Sequence, residues 1–315
     1  MANNKNNTCF RTTIGGQALI EGILMRGPQK QAIVCRTNNG LVAKVDELEL
    51  TRDKHPILGV PFLRGVVNFL DSMVKGMQAL TYSADLLPEE EQEEPSKFDL
   101  WIEEKLGTEK ANKILIAIAV AMGIVLSVVL FMLLPTLIAG FFYKLVENHI
   151  LRNLIEGIIR IGIFLLYLFL CTRLNDIKRV FSYHGAEHKT IFCYEKELPL
   201  TVENVRKQPR QHPRCGTSFL FVVMIISILV YSFATFDSVA TRLVVRILLL
   251  PVIVGISYEL NRWVGRHDNL LSAILSAPGK ALQNLTTFEP DDSMIEVAIR
   301  ALELVIPERQ GDDIW

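Results

Sequence analysis

The 315-residue sequence predicts a mostly α-helical, polytopic membrane protein with about four spans and a small cytosolic α+β region at its N-terminus. Two observations lead to this fold class. The mean hydropathy is +0.29 and half of the residues are hydrophobic, whereas only 21% are charged, and this composition is unusually apolar for a soluble protein. The apolar residues are also bunched into four long runs, and crossing a bilayer takes about 20 such residues.

The N-terminal region, residues 1–110, is predicted to hold a small sheet and a helix. The segment QAIVCRTNNGLVAKVDELEL predicts two strands that meet at a tight turn on Asn38, Asn39 and Gly40. From Pro61 onward, apolar residues recur at helical spacing, which predicts an amphipathic helix lying on the sheet or on the membrane surface. The acidic run LPEEEQEEPS that follows is expected to be a solvated linker.

The membrane domain is predicted at residues 111–262. Its four expected spans are 114–143, 154–171, 217–236 and 242–260. In the first span, Pro135 followed by Gly140 predicts a helix that either breaks near its far end or runs on as an interfacial piece, and we count the run as one span.

Charged residues within the predicted spans are expected to face other helices or to pair. Glu156 and Arg160 stand one helical turn apart in the second span, where they can form an ion pair at the membrane edge. The fourth span carries Arg246 and Glu259, so it is the least lipid-like of the four.

Lysine and arginine in the loops predict the orientation, because positively charged loops stay in the cytoplasm. The segment after the first span offers only Lys144 and Arg152, whereas the loop at 172–216 is rich in both residue types. This loop is therefore expected inside the cell, with both termini on the same side and the protein in the cell membrane. The polar N-terminus, MANNKNNTCFRTT, lacks the apolar core of a cleaved signal peptide, so the first span is expected to direct insertion.

The net charge argues against a nucleic-acid-binding protein, and the cysteine content argues against a disulfide-stabilised one. A net charge of −1 and a pI near 6.6 give no basic excess for phosphate backbones, so no nucleic-acid partner is expected. Membrane lipids, and membrane proteins as substrates or partners, are expected instead. The five cysteines are odd in number and contain no C-x-x-C pair, so we expect reduced thiols rather than a disulfide framework.

The stretch YHGAEHKTIFCYE carries the most specific chemical signal in the sequence. On a helix, His184-x-x-Glu187-His188 places two imidazoles on one face, where both can bind one ion while the glutamate activates water. This order is the inverted form of the zinc-hydrolase signature. Gly185, within the motif, weakens the local helix by about 1 kcal/mol.

Further candidate ligands stand downstream of this motif. His212 and Cys215, in QHPRCGTSF, have the spacing of a ligand pair and precede the third span. If all four side chains bind, the site is a closed, structural His₃Cys tetrahedron. If only three bind, a position remains for water and Glu187 can act as the base. The expected cofactor is a divalent metal, with zinc as the first choice.

Glu259 is a further candidate ligand, because inverted zinc hydrolases take a downstream glutamate as their third ligand. The alternative for Glu259 is an ion pair with Arg262 or Arg246. Cys215 beside His212 could instead form a thiol and base pair, an interpretation that we rank below metal binding.

Two further segments carry weaker signals. Glu21 and Arg26, in LIEGILMRG, are expected to form a local pair, the alternative being that they dock against the metal loop. The C-terminal tail, residues 263–315, predicts a turn at SAPGK and then an amphipathic helix. Asp291, Asp292 and Ser293 are its candidate N-terminal caps, and Pro307 would stop it.

Five stretches, in this order, resemble the YqhQ family of bacterial membrane proteins. They are IGGQALIEGILMRGP, PFLRGVVNFLDS, YHGAEHKTIFCYE, HPRCGTSF, and RHDN followed by PGKALQNLTTFEPDDSMIEVAI. The resemblance runs from about Ile14 to Pro307. It implies a multi-pass membrane protein of unknown function, often labelled a metal-dependent enzyme, in which the two motif histidines, Glu187, His212 and Cys215 fall on the family's motif positions.

Two functions are therefore expected as alternatives. The first is a membrane-embedded, zinc-type hydrolase acting on peptide or lipid bonds at the cytoplasmic face, with His184 and His188 as ligands, His212 or Cys215 as the third, and Glu187 as the base. The second is a non-catalytic membrane adaptor or assembly factor in which the metal is structural.

Overall fold

A computed structural model of the chain describes residues 10–48, 56–88, 96–142, 146–233, 238–267, 269–309 and 311–314. The acidic run at 89–95, Cys9, His55 and Asp268 lie outside the described residues. Contacts divide the chain into two compact units. The larger unit comprises Met1–Leu87, Leu168–Ile226 and Pro251–Trp315, and the smaller unit comprises Pro88–Tyr167 and Ser227–Leu250. The domain boundaries predicted at 110 and 262 stay predictions.

The larger unit begins with a four-stranded antiparallel sheet in the order β1-β2-β3-β4. Its strands are β1 (Gly15–Leu19), β2 (Gly22–Arg26), β3 (Lys30–Thr37) and β4 (Gly40–Glu47). The predicted hairpin is confirmed, with Thr37 opposite Gly40 across the turn and Gly40 at a φ of 113°. The glycine-rich segment before it, which gave no strand signal, supplies β1 and β2.

The two faces of the sheet pack against different helices, because successive strand residues point in opposite directions. On one face, Ile23 and Val34 join a core with α6 (Asn175–Glu195) and α11 (Asp292–Glu303). On the other face, Leu24 packs against Ala79 of α1 (Leu63–Asp85). The amphipathic helix predicted after Pro61 is therefore confirmed, and it lies on the sheet.

The C-terminal helix is also confirmed, since Asp291 caps α11 by accepting a hydrogen bond from the Met294 N–H at 3.0 Å. The turn predicted at SAPGK is wrong. Helix α10 (Leu270–Thr286) runs through Pro278. A side chain at Gly279 would meet Ser218 at 2.6 Å, so close packing of a glycine, rather than a turn, explains this residue.

Three helices are long and apolar enough to cross a membrane, judged by length and composition within the described residues. They are Lys110–Phe142, His149–Cys171 (α5) and Ala240–Arg266, the last within α9 (Val239–Arg266). The predicted span at 217–236 corresponds to a shorter apolar helix, α8 (Gly216–Ser232), of 17 residues. The remaining helices are α2 (Lys97–Leu106), α7 (Val202–Arg206) and a 3₁₀ turn at Pro56–Gly59.

Of the two alternatives at Pro135, the break is absent and the helix runs on, as the single-span count expects. Helix α3 (Thr108–Val128) passes through a π-helical turn at Val129–Leu133 into α4 (Leu134–Phe142), and the three segments form one continuous rod. A proline ring clashes with the carbonyl four residues earlier, and the wider π turn just before Pro135 relieves that clash.

Candidate metal centre

The H-x-x-E-H motif lies on α6, so most of the segment first expected as a loop is helical. Glu187 and His188 are buried, and His184 is partly exposed. Gly185 lies within the continuous helix and is required for packing, because a Cβ atom there would lie 2.1 Å from the carbonyl oxygen of Phe288. The glycine therefore brings the end of α10 close to the motif.

Three side chains bring potential ligand atoms together. His184, His188 and Cys215 each offer one atom, and these atoms lie within 4.8 Å of one another. Nε2 of His184 lies 3.1 Å from Sγ of Cys215. Within the described part of the chain, this is the group of histidine, cysteine and carboxylate side chains that could hold a metal ion.

Backbone carbonyls fix the orientation of both imidazoles. Nδ1 of His184 donates to the carbonyl of Thr286 at 2.8 Å, and Nδ1 of His188 donates to the carbonyl of Arg210 at 2.6 Å. A carbonyl can only accept, so both Nδ1 atoms carry the proton and Nε2 of each ring is directed to the ligand group. This second contact, from a ring N–H to a fixed acceptor, is the usual support of a metal-binding histidine.

Glu187 is held by one oxygen and presents the other to the interior. Its Oε1 accepts a hydrogen bond from the Gly16 N–H at 2.9 Å, whereas the buried Oε2 has no hydrogen-bond partner among the described residues. Burial raises the pKa of this carboxyl group, and the neighbouring imidazoles of His188 and His184 oppose that effect. Glu187 therefore has one carboxyl oxygen available for proton transfer.

A cavity of about 110 Å³ adjoins these groups. Residues 12–16 of the N-terminal segment line it, together with Glu187, His188 and Cys215. The volume accommodates a few water molecules or one small substrate group, since a water molecule takes about 30 Å³ in the liquid.

The imidazoles of His184 and His188 favour the thiolate form of Cys215. Burial alone would raise the pKa of the Cys215 thiol, but the two imidazoles hold it well below its ordinary value. Burial would likewise lower the pKa of His184, yet Cys215 raises it to about 9. The thiolate that results is the form of cysteine that binds metal ions, and it is also the nucleophilic form.

His212, predicted as a ligand, lies outside the ligand group. Its Nε2 is 3.5 Å from Oε2 of Glu195, and its Nδ1 accepts from the Arg214 N–H at 3.4 Å. Burial lowers the pKa of His212 to about 4, although Glu195 opposes the shift, so the ring is neutral. The structure thus brings together three of the four residues of the expected His₃Cys set.

The loop that carries His212 and Cys215 is positioned by Gln283. The buried side chain of Gln283 accepts from the His212 N–H at 2.7 Å and donates to the His212 carbonyl at 2.8 Å. It also donates to the hydroxyl of Ser218, at the start of α8, at 3.1 Å. These three hydrogen bonds fix the loop on either side of Cys215.

Glu259, the further candidate ligand, is also outside the group. It accepts two hydrogen bonds from Arg64, at 2.7 and 2.5 Å. Its ion pair joins α9 to α1, instead of pairing with either of the arginines expected from the sequence.

Comparisons with known proteins place the chain in a family. Residues 60–308 match the family described as "Protein of unknown function (DUF1385)". A protein of Bacillus subtilis (strain 168) with the printed name "Uncharacterized protein YqhQ" is 33% identical over 292 residues, which cover 91% of this chain and 90% of that protein. The chain belongs to the DUF1385 family. The resemblance to the YqhQ family is therefore confirmed. No solved structure matches the chain.

The DUF1385 match covers His184, Glu187, His188 and Cys215, but it begins after the sheet.

The sequence did not predict which residues of the motif helix contact the sheet. Arg179 donates two hydrogen bonds to Glu21, and the hydroxyl of Tyr183 donates to the same carboxylate at 3.2 Å. The expected Glu21–Arg26 pair does not form: Glu21 docks against the motif helix, as in the alternative, whereas Arg26 pairs with Asp71 of α1 at 3.5 Å. Glu21 stands at a φ of 48°, the strained turn between β1 and β2 that aims it at the motif helix.

Proposed function

We propose that this DUF1385 protein is a membrane-embedded, metal-dependent hydrolase of the zinc type, with His184, His188 and Cys215 as the metal ligands. One observation carries the proposal. Nε2 of His188 and Oε2 of Glu187 are both buried without a partner among the described residues, and both side chains line the same cavity. Buried polar atoms are rarely left unpaired, so two beside a thiolate indicate a missing ligand.

The donor set fits a zinc ion. Imidazole nitrogen and thiolate sulfur are the ligands that zinc prefers, and both Nδ1 atoms already have the carbonyl partners that such histidines use. Three protein ligands, rather than four, are typical of catalytic zinc sites. A zinc ion bound there would supply Lewis acidity and polarise the bond to be cleaved.

Glu187 is the proposed general base. Its Oε2 would accept a proton from a water molecule in the cavity, while the Gly16 N–H holds Oε1 and fixes the carboxylate plane. A pKa raised by burial brings the carboxyl group closer to the working pH, which favours returning the proton to the leaving group. The proposed substrates are peptide or lipid bonds at the membrane surface.

A membrane location is part of the proposal. The three long apolar helices, together with the shorter α8, support a multi-pass protein of the cell membrane with lipids as its immediate partners. The many lysine and arginine residues between α5 and α8 support a cytoplasmic position for the site.

The alternative is a non-catalytic adaptor or assembly factor with a structural metal. A structural zinc site normally has four protein ligands. Here the expected fourth ligand, His212, is paired with Glu195, and Glu187 would have no task in such a site. Both observations favour the hydrolase.

Metal analysis of two variants tests the proposal. The full chain, purified in detergent, is expected to hold about one zinc ion per molecule. Glu187→Gln should keep that zinc but fail to complement a strain that lacks the gene, whereas His188→Ala should lose it. Glu203→Gln, the same change at an exposed site, serves as the control and should keep both properties. Full complementation by Glu187→Gln would refute the role of the base, and full zinc content in His188→Ala would refute the ligand set.

A further inference from the structure

Helices α1 and α10 of the larger unit carry large apolar side chains on their outward faces. In α1, six such residues expose between 38% and 54% of their surfaces: Leu63, Leu70, Met73, Val74, Met77 and Leu80. They recur at intervals of three, four and seven residues, so they share one face of the helix. In α10 the exposed fractions run from 53% to 78%, at Leu270, Leu271 and Ile274.

The inward faces of the same two helices are small or polar. The buried residues of α1 are Gly65, Gly76, Ala79 and Ser83. Those of α10 are, apart from Leu282, also small or polar: Ser272, Ser276, Gly279, Gln283 and Thr286. The polarity of both helices is therefore the reverse of that of a helix on the core of a soluble protein.

Two other helices show the two kinds of polarity. Helix α11, in the larger unit, buries its apolar residues in the core that it shares with the sheet. Helix α5, a candidate span of the smaller unit, buries Glu156 and Arg160 and exposes Leu154 and Ile158. Arg160 donates to Glu156 at 3.1 Å, so that predicted pair is confirmed. Helices α1 and α10 follow the pattern of α5, which is typical of helices surrounded by lipid.

Helix α1 packs beside two of the apolar helices. A Cβ atom at Gly65 would lie 2.7 Å from the Cβ atom of Tyr258 on α9, and Asn68 donates to the Tyr258 hydroxyl at 2.8 Å. The ring of Phe69 lies 5.9 Å from that of Phe219 on α8, measured between centroids. The exposed face of α1 therefore adjoins helices that the proposed topology places in the membrane.

The end of α9 carries the residues that mark a membrane interface. Tyr258 and Trp263 stand in its last turns, together with Arg262 and Arg266. Aromatic rings and arginines are enriched at the level of the lipid headgroups. Helix α10 begins at Leu270, four residues after the end of α9, and its large exposed apolar side chains all lie in its first two turns. Helix α10 thus starts at the headgroup level with its apolar face uncovered by the described residues.

We propose that α1 and α10 are interfacial helices, and that the acyl chains of one bilayer leaflet cover their outward faces. Amphipathic helices of this kind lie in the membrane plane with their apolar face about 5–10 Å below the headgroups. The sequence left the sheet and the membrane surface as alternatives for α1, and its two faces allow both contacts. The inference rests on the proposed membrane location but not on the proposed hydrolysis.

Both interfacial helices also support the metal centre. A side chain at Gly76 of α1 would overlap Gln17, in the strand whose backbone holds Glu187. Thr286, the last residue of α10, provides the carbonyl that accepts from His184. Insertion of the two helices would hold the metal centre at the membrane surface, as the proposed substrates require.

Nitroxide labels on single introduced cysteines test the lipid contact. Met73→Cys and Ile274→Cys are labelled in the full chain with Cys171→Ser as the common background, and the spectrum of the labelled background is subtracted. The protein is placed in vesicles of phosphatidylethanolamine and phosphatidylglycerol. Molecular oxygen concentrates among the acyl chains, whereas a nickel chelate stays in water. Both labels should collide with oxygen and lose nearly all collisions with nickel.

Matched controls carry the label on the water side. Ser72→Cys stands next to Met73 on the other side of α1, and Glu203→Cys is an exposed position on α7. Both should collide with nickel more than with oxygen. Leu70→Cys and Leu271→Cys, on the same apolar faces, repeat the measurement if a first variant does not fold.

Three outcomes would overturn the proposal. Nickel collisions at Met73→Cys and Ile274→Cys equal to those at Glu203→Cys would show that both faces are in water. Protection from both reagents would show that protein, such as a second copy of the chain, covers them. Lipid contact at only one of the two helices would contradict their shared insertion.

The test separates this inference from the other proposals. The collisions need neither zinc nor turnover, so a failure of the hydrolase leaves them unchanged. Flotation of the vesicles shows separately whether the chain enters the bilayer, and a chain that does not float would refute the membrane location itself.

Discussion

Gly16 sets the distance between the N-terminal strand and the candidate base. Its N–H holds Glu187, and the missing side chain lets the carboxylate approach the strand. A Cβ atom at position 16 would lie 2.7 Å from the Leu24 carbonyl oxygen and 3.1 Å from Cδ of Glu187. At Gly15, next to it in the same strand, a Cβ atom would meet nothing within 4 Å.

These two glycines give a matched pair of variants. Gly16→Ala should destabilise the protein by about 1–3 kcal/mol, because the new methyl group overpacks a backbone oxygen and the Glu187 side chain. Gly15→Ala should be close to neutral. The thermal unfolding midpoint in detergent measures the difference, and complementation should fall with Gly16→Ala alone. Equal effects of the two substitutions would show that the approach to Glu187 is unimportant.

Residue spacing predicted part of the candidate site and not the rest. Two histidines four apart on a helix must share a face, so His184 and His188 could be placed before the structure was known. Cys215 was predicted from its spacing to His212 in the sequence. The direction of the His212 ring could not be predicted, because a loop has no fixed periodicity and its partner, Glu195, lies on another element. Gln283, which fixes that loop, gave no signal at all.

The N-terminus of α11 is capped by a single side chain, that of Asp291. Asp291 accepts from the Met294 N–H and from the Ser293 hydroxyl, the latter at 2.6 Å. Burial would raise the pKa of Asp291, but these hydrogen bonds lower it below its ordinary value. Asp292, the next residue, makes an exposed ion pair with Arg206.

Asp291→Ala should therefore cost about 0.5–2 kcal/mol in the free energy of unfolding, the usual value of a cap. Asp292→Ala should cost less than about 1 kcal/mol, as exposed ion pairs do. Because the folded-state pKa of Asp291 is depressed, its contribution is present above the unfolded-state pKa of about 4 and is lost as the pH falls further. Denaturation at pH 6 and below pH 4 checks this. A cost of Asp291→Ala that stays constant with pH would contradict the charged cap.

Periodicity and capping predicted α1, α11 and the β3–β4 hairpin, because these elements are specified by local residues. The turn predicted at Pro278 was wrong, because α10 runs through this proline. At Pro135 the sequence left a break and a continuing helix open, and a π turn accommodates the ring in the continuing helix. Strands β1 and β2 were missed because five-residue strands in a glycine-rich segment carry little local preference, and pairing with β3 decides them.

One shared core restricts how the chain can cross a membrane. The sheet, α6 and α11 pack together, so they must lie on the same side. Lys110–Phe142 and α5 separate the sheet from α6 in the chain, so if both cross, they give an even number of crossings. Between α6 and α11 stand α8 and the long apolar part of α9. If α9 crosses, the shared core requires α8 to cross as well.

Helix α8 has 17 residues, about 26 Å, which is short for a hydrocarbon core of roughly 30 Å but within the range for spanning helices. Its crossing is tested with Ser238→Cys and Glu308→Cys, both at exposed positions. If α8 crosses, a membrane-impermeant maleimide should label Ser238→Cys in intact cells and Glu308→Cys only after permeabilisation, with the unsubstituted chain as the blank. If α8 does not cross while α9 does, the two patterns exchange, α11 is on the opposite side from the sheet, and the shared core is refuted.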